Sequence, residues 1–400
     1  MTIEIRARYC WDGHAAQTGT PVAVTIEGER IRRVTLNLPA SGAAAERVLD
    51  FGEATILPGL VDMHTHFGIS QKTGDLRAQM REPAVPHILA GAVSLWEDLE
   101  AGVTSAKLNG DRDFFDLQMR DAVRAGLAEA PRLFVSGKGI KSSPCTGGVV
   151  ATCIADTPEA VRRFVQENLA AGVDWVKLFA SGRLFGERDA VLQPFLGPAE
   201  IAGAAELAHA AGKPISVHCF GGEAADACLD AKVDVIEHGS LLSEAQLERM
   251  ARQGTRLTPT VGHLIHPEGS LAHIPEGAER DAARRRIDEA CATAALALRL
   301  GVPILAGTDA MHGELVHELM SLQELGGTPQ ALLAAATAHA AAALGCDGEI
   351  GVVREGALAD LLVVRGDATR DVARLAEILL VVQGGRIVRR AGTSPSYRTN

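Results

Sequence analysis

With 400 residues, 47% of them hydrophobic and 22% charged, the chain can bury a large core and reads as one big folded unit with a smaller companion. Its formal net charge of −11 and lack of any basic stripe exclude nucleic acid as a partner. No apolar run approaches the roughly 20 residues that span a bilayer, and seven scattered cysteines without a C-x-x-C pair argue against a disulfide framework or a structural zinc site.

The opening MTIEIRARYCWDG carries acidic residues and alternates apolar with polar, unlike a secretory signal, so a cytoplasmic protein is expected. TIEIRARYC, TPVAVTIEG and ERIRRVTLN, then ERVLDFGEATI after an Ala/Gly/Ser stretch near residue 40, read as short strands joined by turns. From residue 57 the pattern alternates strand and helix, with strands expected to begin near residues 57, 102, 131, 173, 213, 233, 255 and 302. One helix, in PAEIAGAAELAHAAGK, starts on Pro198, aligns Ile201, Ala205 and Ala208 on one stripe and stops at Gly212. Such alternation specifies parallel sheet with helical crossovers, and eight units is the number of a (β/α)8 TIM barrel. The first strand leads to DMHTH rather than to a Gly-rich phosphate turn, which argues against a doubly wound sheet. From residue 347 the pattern returns to strands in GEIGVVREG, ADLLVVRG, LLVVQGG and RIVRRAG. The expected organisation is α/β, with a barrel over 57–346 and a small β-sandwich domain composed of 1–56 and 347–400. The alternative for the termini is two independent hairpins packed on the barrel.

Six side chains end strands of this pattern: His64 and His66 in ILPGLVDMHTH, Lys177 in GVDWVKLF, His218 in KPISVHC, His238 in VDVIEHG and Asp309 in VPILAGTD. Strand ends converge on one face of a barrel, where its active site is built. His64 and His66 are two apart, the period of a strand, so both project from one face and can chelate one ion. Asp309, ending the eighth strand, would lie beside the first and complete a His, His, Asp set suited to zinc, and also to manganese or iron. An ammonium at Lys177 would be repelled by two nearby dications. Carboxylation by CO2 turns it into a carbamate long enough to bridge metals about 3.5–4 Å apart; pairing with an acidic neighbour is the plain alternative. His218 and His238 would then hold a second ion. Cys145 and Cys153 share a loop, as core residues or as a further metal pair.

The motifs LPGLVDMHTH, GVDWVKLFASG, SVHC, DVIEHGS, GTDA and GALADLLVV together resemble the amidohydrolase superfamily, in its imidazolonepropionase-like and Xaa-Pro dipeptidase-like branch, over essentially the whole chain. The resemblance implies a barrel with a β-sandwich from both termini and a binuclear centre. In it His64, His66 and Asp309 hold one divalent ion, His218 and His238 the other, and a carboxylated Lys177 bridges them. The activity implied is hydrolysis of amide C–N bonds in small N-acyl amino acids or dipeptide-like substrates, by attack of a metal-bridging hydroxide. Zinc is the first expectation for both ions, with manganese or iron open. Asp309 is placed as the catalytic residue that takes the proton of the attacking water and passes it to the leaving nitrogen.

Where many relatives carry T-G-G-H, TGGVV has Val149, and the loop from Asp309 to His312 is short, so substrate transfer from the family is weak. Arg183, whose planar fork fits a carboxylate, and His263 are the expected substrate-binding residues. Lys107, Arg112, Lys138, Lys141 and His266 lie on the same predicted face. A cyclic amidase, lactonase or heterocycle aminohydrolase is the second enzymatic reading. Deaminases of the superfamily place a glutamate three residues after the fifth-strand histidine, but here Gly221 stands there and the next acid is Glu223. An inactive scaffold would have lost ligands, and all six are present. A small-molecule substrate and a homo-oligomer are expected, with no nucleic-acid or membrane partner.

Overall fold

The computed structural model describes residues 2–17, 21–37, 45–145, 147–185 and 188–391. Two antiparallel-rich sheets come from the chain ends. In the first, Arg30–Leu36, Val22–Glu27, Thr2–Ala7 and Arg47–Asp50 lie side by side. The second mixes both ends, in the order Arg386–Arg390, Ile378–Gln383, Leu361–Arg365, Ala54–Pro58, Tyr9–Trp11 and Ala16–Gln17. Its central pairing is antiparallel, with Leu361 opposite Pro58 and Arg365 opposite Ala54. Alternation along Thr2–Ala7 and Val22–Glu27 buries Ile5, Ala7, Val22, Val24 and Ile26, and these share one buried cluster with Ile56, Leu361, Val363 and Leu380 of the other sheet. The segment GEIGVVREG, expected as a strand, instead forms turns with one isolated bridge, Ile350 to Asp347. Its glycines at 348, 351 and 356 all take positive φ, which breaks an extended run.

Between these ends lies a TIM-barrel-like α/β arrangement. Leu60–Thr65, Val103–Leu108 and Arg132–Val135 form one parallel ladder, and Val176–Phe179, Ile215–Cys219, Val235–His238 and Arg256–Thr258 another. Single hydrogen bonds join them: the Val135 carbonyl accepts from the N–H groups of Asp174 and Trp175 at 2.8 and 3.2 Å. A short pair, Gly139–Lys141 with Ala151–Ile154, extends the second ladder beyond Val176–Phe179 and was not expected.

The eighth expected strand, near residue 302, is an extended segment with one parallel bridge, Leu257 to Ile304. Pro303 can accept through its carbonyl, as it does from Leu257, but it has no N–H to give to a ladder. On its other side the N–H of Met63 donates to Ala306 at 2.8 Å and that of Asp309 to the His64 carbonyl at 2.7 Å. Gly307 permits this approach, since a Cβ there would sit 2.6 Å from the Cβ of His64. The helix Pro198–Ala210 buries Ile201, Ala204, Ala205 and Ala208, as its spacing predicts. Among the described residues no helix is long and apolar enough to cross a membrane.

Candidate metal centre

The strand Leu60–Thr65 is buried along its length and delivers His64, then His66 just beyond its end. The Nε2 atoms of both rings lie 3.2 Å from one oxygen, Oδ1 of Asp309. Among the described residues these three alone form a group of His, Cys, Asp or Glu whose ligand atoms all fall within 4.8 Å of one another. His218 and His238 stand beside them. Their rings are 4.7 Å apart, and His238 is 4.8 Å from the ring of His64.

Backbone geometry makes this convergence possible. His238, Thr260, Asp309 and Ala310 all have positive φ, between 51° and 68°, each at a cost of about 1–3 kcal/mol. The turn at His238 breaks the two-residue alternation of its strand, so Glu237 and His238, consecutive in sequence, both reach the same centre. The second nitrogen of each ring is anchored separately. His64 Nδ1 meets Glu237 Oε2 at 2.8 Å, His238 Nδ1 meets Thr260 Oγ1 at 2.8 Å, and His218 Nε2 donates to the Gly182 carbonyl at 2.9 Å. Of these four rings, only His66 leaves its Nδ1 buried without a partner.

Lys177 is fully buried and its Nζ makes no hydrogen bond. The nearest carboxylate oxygen, Glu237 Oε1, is 3.9 Å away and already accepts a 2.7 Å bond from Lys107. Burial, only partly offset by Glu237 and reinforced by the Lys107 charge, brings the Lys177 amine down to about 7. Burial likewise lowers His218 to about 3, with Lys177 adding to it, and takes His238 well below the ordinary imidazole value, with His218 adding. At His64 burial is outweighed by the Glu237 and Asp309 carboxylates together, and the proton affinity rises. Asp309 is held well below the carboxylate range despite its burial, because the His64 and His66 N–H groups and the His263 charge favour the anion.

These groups open into a cavity of about 480 Å³. His64, His66, His218, His238 and Asp309 line it, and Lys177 lies beneath. Of the expected substrate-binding residues, Arg183 is exposed and lines the cavity, and His263 lines it with Nε2 at 3.4 Å from Asp309 Oδ2 and Nδ1 on Ser270. Val149 also forms part of the wall.

The remaining basic residues of the predicted face are placed elsewhere. Lys107 is fully buried on Glu237 and Ser216, so it cannot meet a substrate. Arg112 donates to the Glu82 carbonyl, Lys138 faces Glu167, Lys141 holds carbonyls of its own loop, and His266 packs on His317. The Cys145 thiol donates to the Ser181 carbonyl at 3.3 Å, and among the described residues no ligand group includes a cysteine. The residue that sequence reasoning missed is Glu237. Its signal was a carboxylate within the apolar strand Val235–His238, where burial demands a partner.

A TIM-barrel-like scaffold with histidines, a lysine and an aspartate at its strand ends is the framework of a hydrolase. The chain belongs to the amidohydrolase family, whose model matches residues 55–388, and it acts as a hydrolase on carbon–nitrogen bonds, amides among them. An uncharacterised protein of Mycobacterium tuberculosis is 29% identical over 86% of this chain and 87% of its own length. Ochratoxinase of Aspergillus niger is 26% identical over 85% of this chain and 77% of its own. A prolidase solved with N-methylphosphonate-L-proline superposes with a TM-score of 0.84 at 25% identity, covering 98% of this chain and all of the other. The resemblance to the imidazolonepropionase-like, Xaa-Pro dipeptidase-like branch stands on such relatives.

Proposed function

We propose that this chain is a binuclear metal-dependent amidohydrolase of small N-acyl amino acids or dipeptide-like substrates. The observation that carries the metal reading is the convergence of ligand atoms: the Nε2 atoms of His64 and His66 both lie 3.2 Å from Asp309 Oδ1, and among the described residues these three alone bring His, Cys, Asp or Glu ligand atoms within 4.8 Å of one another. Glu237 accepts from Nδ1 of His64, which in the neutral ring leaves Nε2 free to ligate. His64, His66 and Asp309 would hold the first ion, and His218, through Nδ1, and His238 the second. Carboxylated Lys177, whose buried amine is otherwise unpartnered, would bridge them. Zinc suits this nitrogen and oxygen donor set, and manganese or iron(II) share it.

Two divalent ions supply, when bound, a water acidified to a pKa of about 7 and a polarised carbonyl. The chain's own residues do the rest. Asp309 has Oδ1 on the imidazoles and Oδ2 toward His263, and in this reading Oδ2 would receive a proton and return it to the leaving nitrogen. The cavity walls Phe179, Phe220 and Leu264 exclude water beside the histidines, and Arg183 at the exposed side supplies a fork for a substrate carboxylate. The organisation proposed is a barrel over 57–346 with a composite β-sandwich from 1–56 and 347–400, supported by the buried cluster the two terminal sheets share. We expect a cytoplasmic homo-oligomer.

The test is metal analysis of purified protein, combined with a screen against dipeptides, N-acyl amino acids and lactams. About two ions per chain, and activity lost on chelation and regained with metal, are expected. Full activity with one ion per chain would sink the binuclear reading, and turnover of lactams alone would favour a cyclic amidase.

A further inference from the structure

Beneath the candidate centre is a closed set of charges that the reaction itself does not use. Glu237 divides its two oxygens: Oε1 accepts from Lys107 Nζ at 2.7 Å, and Oε2 meets His64 Nδ1 at 2.8 Å. Glu237 and Lys107 are fully buried, and His64 is 1% exposed. Among the described residues Lys107 has no other carboxylate in ion-pair contact. It donates to Ser216 Oγ at 3.0 Å and lies 4.5 Å from the centre of the Trp175 ring, a setting built for an ammonium. The three side chains come from different strands, Leu60–Thr65, Val103–Leu108 and Val235–His238.

An ionised carboxylate can only accept. With Lys107 holding one oxygen, the other leaves His64 a single role at Nδ1, that of donor. In the neutral ring that a metal ligand must be, Nε2 is then the lone pair. The other histidines are fixed less firmly. His218 rests on a neutral carbonyl, His238 on a hydroxyl that can give or take a proton, and His66 Nδ1 has no partner. Of the four histidines at the centre, only His64 has a charged partner on its second nitrogen.

We propose that Glu237 is a positioning residue for the metal centre: it holds His64 as the Nδ1–H tautomer so that Nε2 ligates, and Lys107 holds and neutralises Glu237 from below. This rests on the metal reading above. A carboxylate behind a ligating histidine raises ligand basicity and fixes ring orientation. Lys107 also keeps the buried anion from being an uncompensated charge when no metal is bound.

The test compares zinc affinity, by chelator competition, in wild type, Glu237→Gln and the double variant Lys107→Met with Glu237→Gln. If Glu237 positions His64, both variants lose about 10- to 100-fold in affinity for one of the two ions. If Glu237 serves only to balance Lys107, the double variant, which has neither charge, recovers wild-type affinity and the inference is overturned. The double variant replaces a buried ion pair by neutral side chains of similar length and is the one expected to fold should the single variant not. A second readout needs no variant of Glu237. In metal-free wild type labelled with 15N-histidine, and with His64 assigned by its loss in His64→Gln, Nδ1 must carry the proton; an Nε2–H tautomer overturns the proposal. Wild type that binds no metal would instead refute the functional reading. Two ions in wild type with unchanged affinity in the variants would refute this inference alone.

Discussion

Replacing Lys177 by methionine should stabilise the metal-free protein while destroying its centre. The amine is fully buried, makes no hydrogen bond, and faces a carboxylate already engaged by Lys107. Burial is the main reason its pKa falls from 10.5 to about 7. At about 1.36 kcal/mol per pH unit, keeping this lysine in the uncarboxylated fold costs on the order of 4–5 kcal/mol at pH 7. Methionine has similar length and no charge to lose. From about 2.1 cal/mol/K of unfolding entropy per residue, the variant should melt roughly 5 °C above wild type at pH 7. The pH dependence is the sharper signature. Between about pH 7 and 10.5 the unfolded chain binds the lysine proton and the folded chain does not, so wild-type stability rises with pH by about 1.36 kcal/mol per unit. The methionine variant lacks that slope. Its advantage should be greatest at pH 7 and below, and vanish near pH 10.5. Melting both proteins in CO2-free buffer with chelator at pH 7 and pH 10 measures this directly. A variant less stable than wild type at pH 7, or an advantage that does not shrink with pH, would refute the reasoning.

Asp309→Asn keeps an oxygen ligand but removes the proton acceptor at Oδ2, so kcat should fall by about 10²–10⁴ with metal content largely kept; near-normal turnover would assign the proton transfer to another group. Lys177→Ala should lose metal and activity and regain part of both with acetate or propionate, whose carboxylate can occupy the vacated space, and an unchanged rate without rescue would exclude the bridging carbamate. On the helix Ala84–Glu100, Val85, Leu89 and Val93 are 66%, 61% and 59% exposed at four-residue spacing, an apolar stripe suited to a second copy. Leu89→Glu should therefore lower the assembly size measured by light scattering, and an unchanged mass would place any interface elsewhere.

Much of the architecture was readable in the linear chain because it depends on periodicity and punctuation. Pro198 and Gly212 delimit a helix whose buried stripe is the one its spacing predicts, and apart from the short pair Gly139–Lys141 and Ala151–Ile154 the strands from Leu60 to Thr258 are separated by helices. His64, His66 and Asp309 announced themselves as polar residues at the ends of apolar runs, and the fold brings their ligand atoms within 4.8 Å of one another. Three features required the tertiary structure. The eighth segment pairs by one bridge, since Pro303 gives no N–H, and its closeness to His64 depends on the missing side chain of Gly307. Lys107 counted among the basic residues of the predicted active face, yet it is sealed on Glu237. Glu237 itself was hidden by alternation: next to a predicted inward histidine, it should point away. Only the left-handed backbone at His238 turns both residues to the same centre, and a backbone angle imposed by the surrounding packing is not written in local sequence.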